Sequence, residues 1–513
     1  MLSFRVASAL LLAGGLTAQE QPDISWRQAF RFLNRATFGP KRPEIAQVQR
    51  DGYDAWLEAQ FRAQPSRYQE YLQDKPIEWS QDYFFQIALQ NNDQLRQRVA
   101  FALHKIFVVS AVEVDRGDAL TSYLNILSSL AFDNIYPILK QVTLHPAMGD
   151  YLDMVNNDRA RPGSIAQPNE NYARELLQLF SIGLARLNRD GTPMLDPAGN
   201  PISTYTEEDV KTVTRALTGW TYPKSPRTNT DRAGHNRPAY FGFMEPTESN
   251  HDDGAKTLLD GTELPAGQTA QQDLDAVIDM LYNHPNLAPF LSKQLIQQLV
   301  TSNPTPAYVA RVVRAFEDNG AGVRGDMKAV VRAILLDSEA IDPPGDSSGH
   351  LKEPALMVLS LFRPIGGRVG DFPVLADETT EMGQKILFPP SVFSYFSPNY
   401  RLPGVGLVGP EFQVLTSETA LRRVNYAGKL LYGGFGSYID LDVKRYVDAA
   451  ADPAALLRVV DEDLLGGWMH DDPAGEPMRA AVAKAVNAQD NAANKAATAL
   501  YLVGTSAQFQ VVR

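Results

Sequence analysis

Apolar residues in this chain recur mostly at three- and four-residue spacing, the period of a helix with one buried face. Residues 93–109 set the pattern, with Leu95, Val99, Ala102, Leu103 and Ile106 on one stripe. The same spacing predicts helices at about 43–63, 79–91, 271–283, 286–301, 306–318, 325–338 and 352–364, and in the Ala-rich 479–500. Trp26 to Leu33 opens the first helix, which ends at Gly39-Pro40. Thr206 caps another, with Asp209 at the reciprocal position and Val210, Val213 and Leu217 as its buried stripe. Between the helices the pattern breaks near 184–204, 221–262 and 365–401. The first break holds two turn-rich pieces that suit a small β-hairpin or an ordered loop. In the second, Tyr222, Tyr240, Phe241 and Phe243 favour an ordered loop over a disordered one. The predicted fold is mainly α: a single large multi-helix domain over residues 19–513, with long irregular loops.

One predicted helix differs from the others in its polar face. Over residues 168–183, Glu170, Asn171, Arg174, Glu175, Gln178 and Ser181 share one side, and Tyr172, Ala173, Leu176, Leu179 and Phe180 the other. Glu170 and Arg174 stand at i,i+4, as do Asn171 and Glu175, so the polar side can form a fixed network. Two roles fit such a face: a network tying the helix to a neighbour, or the wall of a ligand or catalytic site.

The run NENYARELLQLFSIG at 169–183, followed by YTEEDVKTVTRALTGW at 205–220 and HDDGAKTLL at 251–259, resembles the bacterial family known as domain of unknown function 1800. The resemblance extends from RFLNRATFGP at 31–40 to TSAQFQVVR at the C-terminus, and GQKILFPPSV at 383–392 resembles a further motif of that family. It implies a largely helical exported protein and brings no established reaction with it. It also implies a partner, because genes of this family commonly lie beside genes for exported sulfatase-like proteins. Members often carry a second His near the end of the 93–109 helix; here there is His104, with Ile106 where the other falls.

Composition narrows the chemistry. Hydrophobic residues are 44% and charged residues 21%, as in globular proteins, and cysteine is absent. Disulfides, thiolate metal sites, iron–sulfur clusters and a Cys nucleophile are thereby excluded. A net charge of -12 disfavours nucleic acid and anionic membranes as partners. Residues 1–18 read as a secretory signal, with Arg5 ahead of the apolar run Val6 to Leu16 and small residues at Thr17-Ala18. The expected address is periplasmic or extracellular, without a transmembrane anchor, since the apolar run is too short to span a bilayer.

The strongest candidate constellation joins Glu170, Arg174 and Glu175 to His251 and Asp252 as catalytic groups, with Asp150 and Asp153 nearby in sequence. Asn171, Trp220, Lys256, Phe393 and Tyr395 are the candidates for holding substrate. Carboxylates with a His and an Asn could take a divalent metal, calcium or magnesium rather than zinc. Alternatively, one carboxyl raised by burial and another kept ionised by Arg174 could serve as general acid and base, as in glycosidases. His145-Pro146 and His284-Pro285 open similar segments and read as helix starts. Gly345 to Gly349 matches G-x-S-x-G around Ser347 but lacks the strand a nucleophile elbow needs. Zinc-peptidase, P-loop, dinucleotide and EF-hand signatures are absent. Two functions of different class fit: a hydrolase acting on an extracellular polymer such as a glycan, or a noncatalytic binding or partner protein working with an exported sulfatase-like protein.

Overall fold

A computed structural model describes residues 23–68, 76–163, 165–225, 230–342, 345 and 348–513. The signal-like segment 1–18 and Ser347 lie outside the described residues. The architecture is mainly α, with short antiparallel strand pairs inserted between helices. Predicted helices recur with shifted ends, among them Arg42–Arg62, Gln94–Ile106, Leu287–Leu299 and Pro354–Ile365. The Ala-rich stretch forms two helices, Glu476–Asn487 and Ala492–Gly504; the first ends at its C-cap Ala488, and Asn491 caps the next by accepting from the Asn494 amide. At residue 206 the expected capping box forms: Thr206 Oγ1 accepts from the Asp209 amide, and Asp209 returns a carboxylate to the Thr206 N–H at 2.7 Å.

Two helices are buried along their whole length, Gln94–Ile106 and Pro354–Ile365. Around Gln94–Ile106 pack Gly117–Leu130, Leu287–Leu299 and Arg42–Arg62. Pro354–Ile365 supports the C-terminal helices Ser417–Leu431 and Pro453–Leu465. A helix buried all round must satisfy its polar side chains internally, and these two do so partly through each other. Lys105 donates to Glu353 in a short buried ion pair, and Gln384 Nε2 donates to the second Glu353 oxygen at 2.6 Å. Gln384 Oε1 also accepts from the Ala355 amide at 2.9 Å, capping the helix. The 383–392 motif therefore completes the polar joint between the two central helices.

The end motifs are braces as well. Arg31 and Arg35 leave the first helix, Trp26–Ala36, and donate to the carbonyls of Asp342 and Ala340 at the end of the short helix Ser338–Ile341. At the other terminus Val511–Val512 pairs antiparallel with His350–Leu351. Buried hydrophobic side chains from Ala29 to Phe509 form one contiguous cluster. Among the described residues no helix is long and apolar enough to cross a membrane.

The expected hairpin at 184–204 is a run of antiparallel bridges, Ala185 to Ser203, Leu187 to Pro193 and Leu195 to Pro201, around two Asp-anchored turns. Pro193 and Pro201 each lack an N–H, which keeps the ladder from becoming continuous.

Candidate functional site

The polar helix is not one regular helix. It runs as α-helix only over Asn171–Glu175, starting three residues after the expected 168, and Asn169 Oδ1 accepts from the Asn171 amide at 2.9 Å at that start. From Leu176 to Ser181 it winds as a π-helix. The wider turn changes the faces. Ser181, expected on the polar side, is fully buried, and its Oγ donates to the Leu176 carbonyl at 2.5 Å. Gln178 is carried away from Glu170 and Arg174 and toward the protein's interior cavity.

At the outer end Arg174 clasps two carboxylates, Glu170 at 2.9 Å and Glu207 at 2.5 Å, all three substantially exposed. Asn171 and Asn169 both donate to Asp153 Oδ2, at 3.3 and 3.1 Å, and Asp153 holds a left-handed backbone with φ 59°. Glu175 is half-buried. Burial pushes its carboxyl above the ordinary range, the Arg174 guanidinium pulls the other way, and Oε2 is buried without a hydrogen-bond partner. Asp150 is occupied differently, accepting from the hydroxyls of Tyr222 and Tyr240.

The HDDGAK residues form a second, separate cluster. His251 Nδ1 donates to the Thr218 carbonyl at 3.0 Å, and Nε2 faces Asp273 Oδ2 at 3.2 Å. Lys256 Nζ donates to that same oxygen at 2.7 Å, and His251, Lys256 and Asp273 are all buried. Asp252 makes a two-pronged pair with Arg215, at 2.8 and 3.1 Å. Burial works to raise the Asp252 carboxyl, but Arg215 and the Gly254 amide hold it below the ordinary value. Glu207 and Arg215 lie at opposite ends of the helix Glu207–Ala216, so the two clusters stand about 12 Å apart along it at 1.5 Å per residue. The structure thus brings Glu170, Asn171 and Arg174 together, and His251, Asp252 and Lys256 together, but not the two sets with each other. Trp220 is buried in the strand pair with Glu245–Pro246. Among the described residues no three His, Asp or Glu side chains converge as metal ligands would.

Both His-Pro histidines are helix-start devices. His145 Nδ1 accepts from the Ala147 amide and His284 Nδ1 from the Asn286 amide, each at 3.1 Å. Burial lowers His145 to about 3 and His284 to about 4, so both rings are neutral at pH 7. His145 Nε2 lies 3.2 Å from Ser122 Oγ, the spacing of a nucleophile–base pair. With Nδ1 accepting, the ring proton sits on Nε2, and the ring cannot take a proton from Ser122.

The cavity toward which the π-helix turns has a volume of about 340 Å³, within the usual range of small-molecule sites. One wall is the helix Leu287–Leu299, which presents Phe290, Lys293, Gln294, Gln297 and Gln298 at the i, i+3, i+4, i+7, i+8 spacing of a single face. Its opposite face, with Leu291, Leu295 and Leu299, is core. Gln178 from the π-helix and Gly183 just beyond its end face that wall. Gly183 has φ 69°, and a Cβ there would come within 2.8 Å of the Phe290 ring, so this close approach of two walls needs glycine. Lys105 and Ile106, at the end of the Gln94–Ile106 helix, also line the cavity. The 392–399 loop covers the outside with Phe393, 43% exposed, and Phe396. Gln297 Nε2 tethers that loop at the Pro398 carbonyl. Tyr395 points the other way, buried against a smaller cavity beside Phe38, with its hydroxyl on the Lys385 carbonyl at 3.0 Å.

Among the described residues no Asp or Glu lines the larger cavity. Gln294 Nε2 and Gln298 Oε1 are buried there without hydrogen-bond partners. Of the expected substrate-holding residues Phe393 alone reaches it, and the glutamine-rich face is absent from the sequence-based set. Its signal was present: SKQLIQQL has a polar face of three amides and one lysine, where a merely solvated helix alternates charges.

Fold and cavity together define a mainly helical protein with an amide- and aromatic-lined chamber between the Leu287–Leu299 helix, the π-helix and the 392–399 loop. The chain belongs to the family described as protein of unknown function (DUF1800), whose model matches residues 31–511. No curated protein and no solved structure matches it.

Proposed function

We propose that this chain is a noncatalytic binding protein whose cavity takes a hydroxyl-rich, sugar-like ligand, such as one or two units of an extracellular glycan. The observation that carries this is the lining. Amide side chains, two of them with unpaired buried polar atoms, can donate to and accept from hydroxyls, and Phe393, Phe396 and Phe290 supply flat apolar surface for a sugar face. Two-carboxylate hydrolysis needs an acid pair against the ligand. The carboxylates Glu170 and Glu175 lie outside this lining, which favours binding over the hydrolase alternative. Export rests on the 1–18 pattern, and cooperation with a sulfatase-like protein rests on family resemblance; a binding protein that presents a glycan to such a partner accommodates both.

Thermal-shift screening of the protein against mono- and disaccharides tests this. A saturable ligand is expected, with Gln294→Leu weakening it about tenfold or more and Phe393→Ala about tenfold, while both variants keep the helical spectrum of the parent. Saccharides that leave the melting temperature unchanged, or binding indifferent to both substitutions, would refute it.

A further inference from the structure

The geometry points to a ligand that carries an anionic oxygen group, a carboxylate or a phosphoryl, with Lys293 as its counter-ion; this rests on the binding function proposed above. Among the described residues two lysines, Lys105 and Lys293, line the cavity. Lys105 is already matched by Glu353. Lys293 has no such match: among the described residues it makes no ion pair and no side-chain hydrogen bond, and burial lowers its ammonium below the ordinary 10.5. With no acidic side chain in the lining, the walls offer it nothing to pair with. This local surplus of positive charge stands in a chain of net charge -12.

Gln294 follows Lys293 on the same helical face, and its unpaired Nε2 is a donor. An ammonium and an amide N–H side by side suit an oxyanion, which accepts from both. A neutral sugar would satisfy the amide and leave a half-buried charge unmatched, whereas an anionic one satisfies both.

Isothermal titration with glucose, glucuronate and glucose 6-phosphate separates the alternatives, using the full chain and its Lys293→Met and Lys293→Arg variants. The expected result is that at least one anionic sugar binds about tenfold or more tighter than glucose, the advantage of a charge-assisted hydrogen bond. Lys293→Met should erase that preference, and Lys293→Arg should keep most of it. The two anionic probes distinguish a carboxylate from a phosphoryl preference. Equal binding of all three sugars, or a preference that survives Lys293→Met, overturns the inference and leaves the binding function standing. Failure of all three sugars to bind overturns this inference, and failure of the wider saccharide screen overturns the binding function with it.

Discussion

The Lys105–Glu353 pair joins the two central helices and borders the cavity, so its removal has a predictable and asymmetric cost. Both side chains are 2% exposed. Breaking a buried pair by neutralising one partner costs about 3–5 kcal/mol, because the other charge is left in a poorly solvating interior. The surroundings decide which loss is worse. Glu353 also attracts Arg98 and Arg423, both buried and both held below their ordinary values by that burial. Glu353→Gln therefore strands three cations, with Glu411 as the remaining buried carboxylate nearby. Lys105→Met leaves Glu353 with Gln384 and two guanidiniums. We expect about 5 kcal/mol for Glu353→Gln and about 3 kcal/mol for Lys105→Met, with the double variant less costly than their sum by about 1–3 kcal/mol. Against a total stability of about 5–15 kcal/mol, each is a large fraction. Urea unfolding at pH 7, followed by circular dichroism, measures all four proteins. Additive losses, or a costlier Lys105→Met, would show that this joint does not organise the core.

Other substitutions separate bracing from surface decoration. Arg174→Ala should cost less than about 1 kcal/mol in a thermal melt, since its partners Glu170 and Glu207 are exposed. Lys256→Met, which strands Asp273 in the interior, should cost about 3–5 kcal/mol in the same melt. Gly349→Ala should free the C-terminal strand and speed its hydrogen exchange, because φ is 97° there and the new Cβ would sit 2.2 Å from the Val512 carbonyl oxygen. Lys352 is buried and makes no ion pair among the described residues, its Nζ lies 3.6 Å above the Phe509 ring, and burial lowers it to about 7 from 10.5. Between those values the unfolded chain holds a proton that the folded chain lacks, so stability should rise with pH across that window and be lowest below it. Lys352→Met should flatten the rise in urea midpoints measured from about pH 7 to about pH 10.

Much of the helical architecture is legible from spacing alone. The Leu95–Ile106 stripe, the Thr206 cap and the Leu287–Leu299 helix all follow from periodicity and capping chemistry. Gly117–Leu130 and Ile135–Leu144 lie outside the predicted set; Leu120, Tyr123, Leu124 and Leu127 do keep helical spacing in the first, whereas the second is apolar without a break from Ile135 to Leu139, which blurs the helical stripe. The π-helix at 176–181 could not be read from side-chain spacing, because a five-residue hydrogen-bond register leaves no mark on the pattern of apolar positions. That one shift moves Gln178 from the expected polar face to the cavity. Glu170 and His251 looked like partners in sequence because both sit in charged motifs, yet the Glu207–Ala216 helix holds their clusters apart. Arg31 and Arg35 show the reverse, as a conspicuous charged motif whose task is to cap the Ser338–Ile341 helix.

The most direct test of a ligand chamber is a crystal structure of the protein with the tightest saccharide found by screening. Ligand density is expected between Phe393 and the Lys293–Gln294 face, with Gln294 Nε2 donating to a ligand oxygen. Density at the Glu170–Glu175 surface, with the cavity holding only solvent, would contradict it.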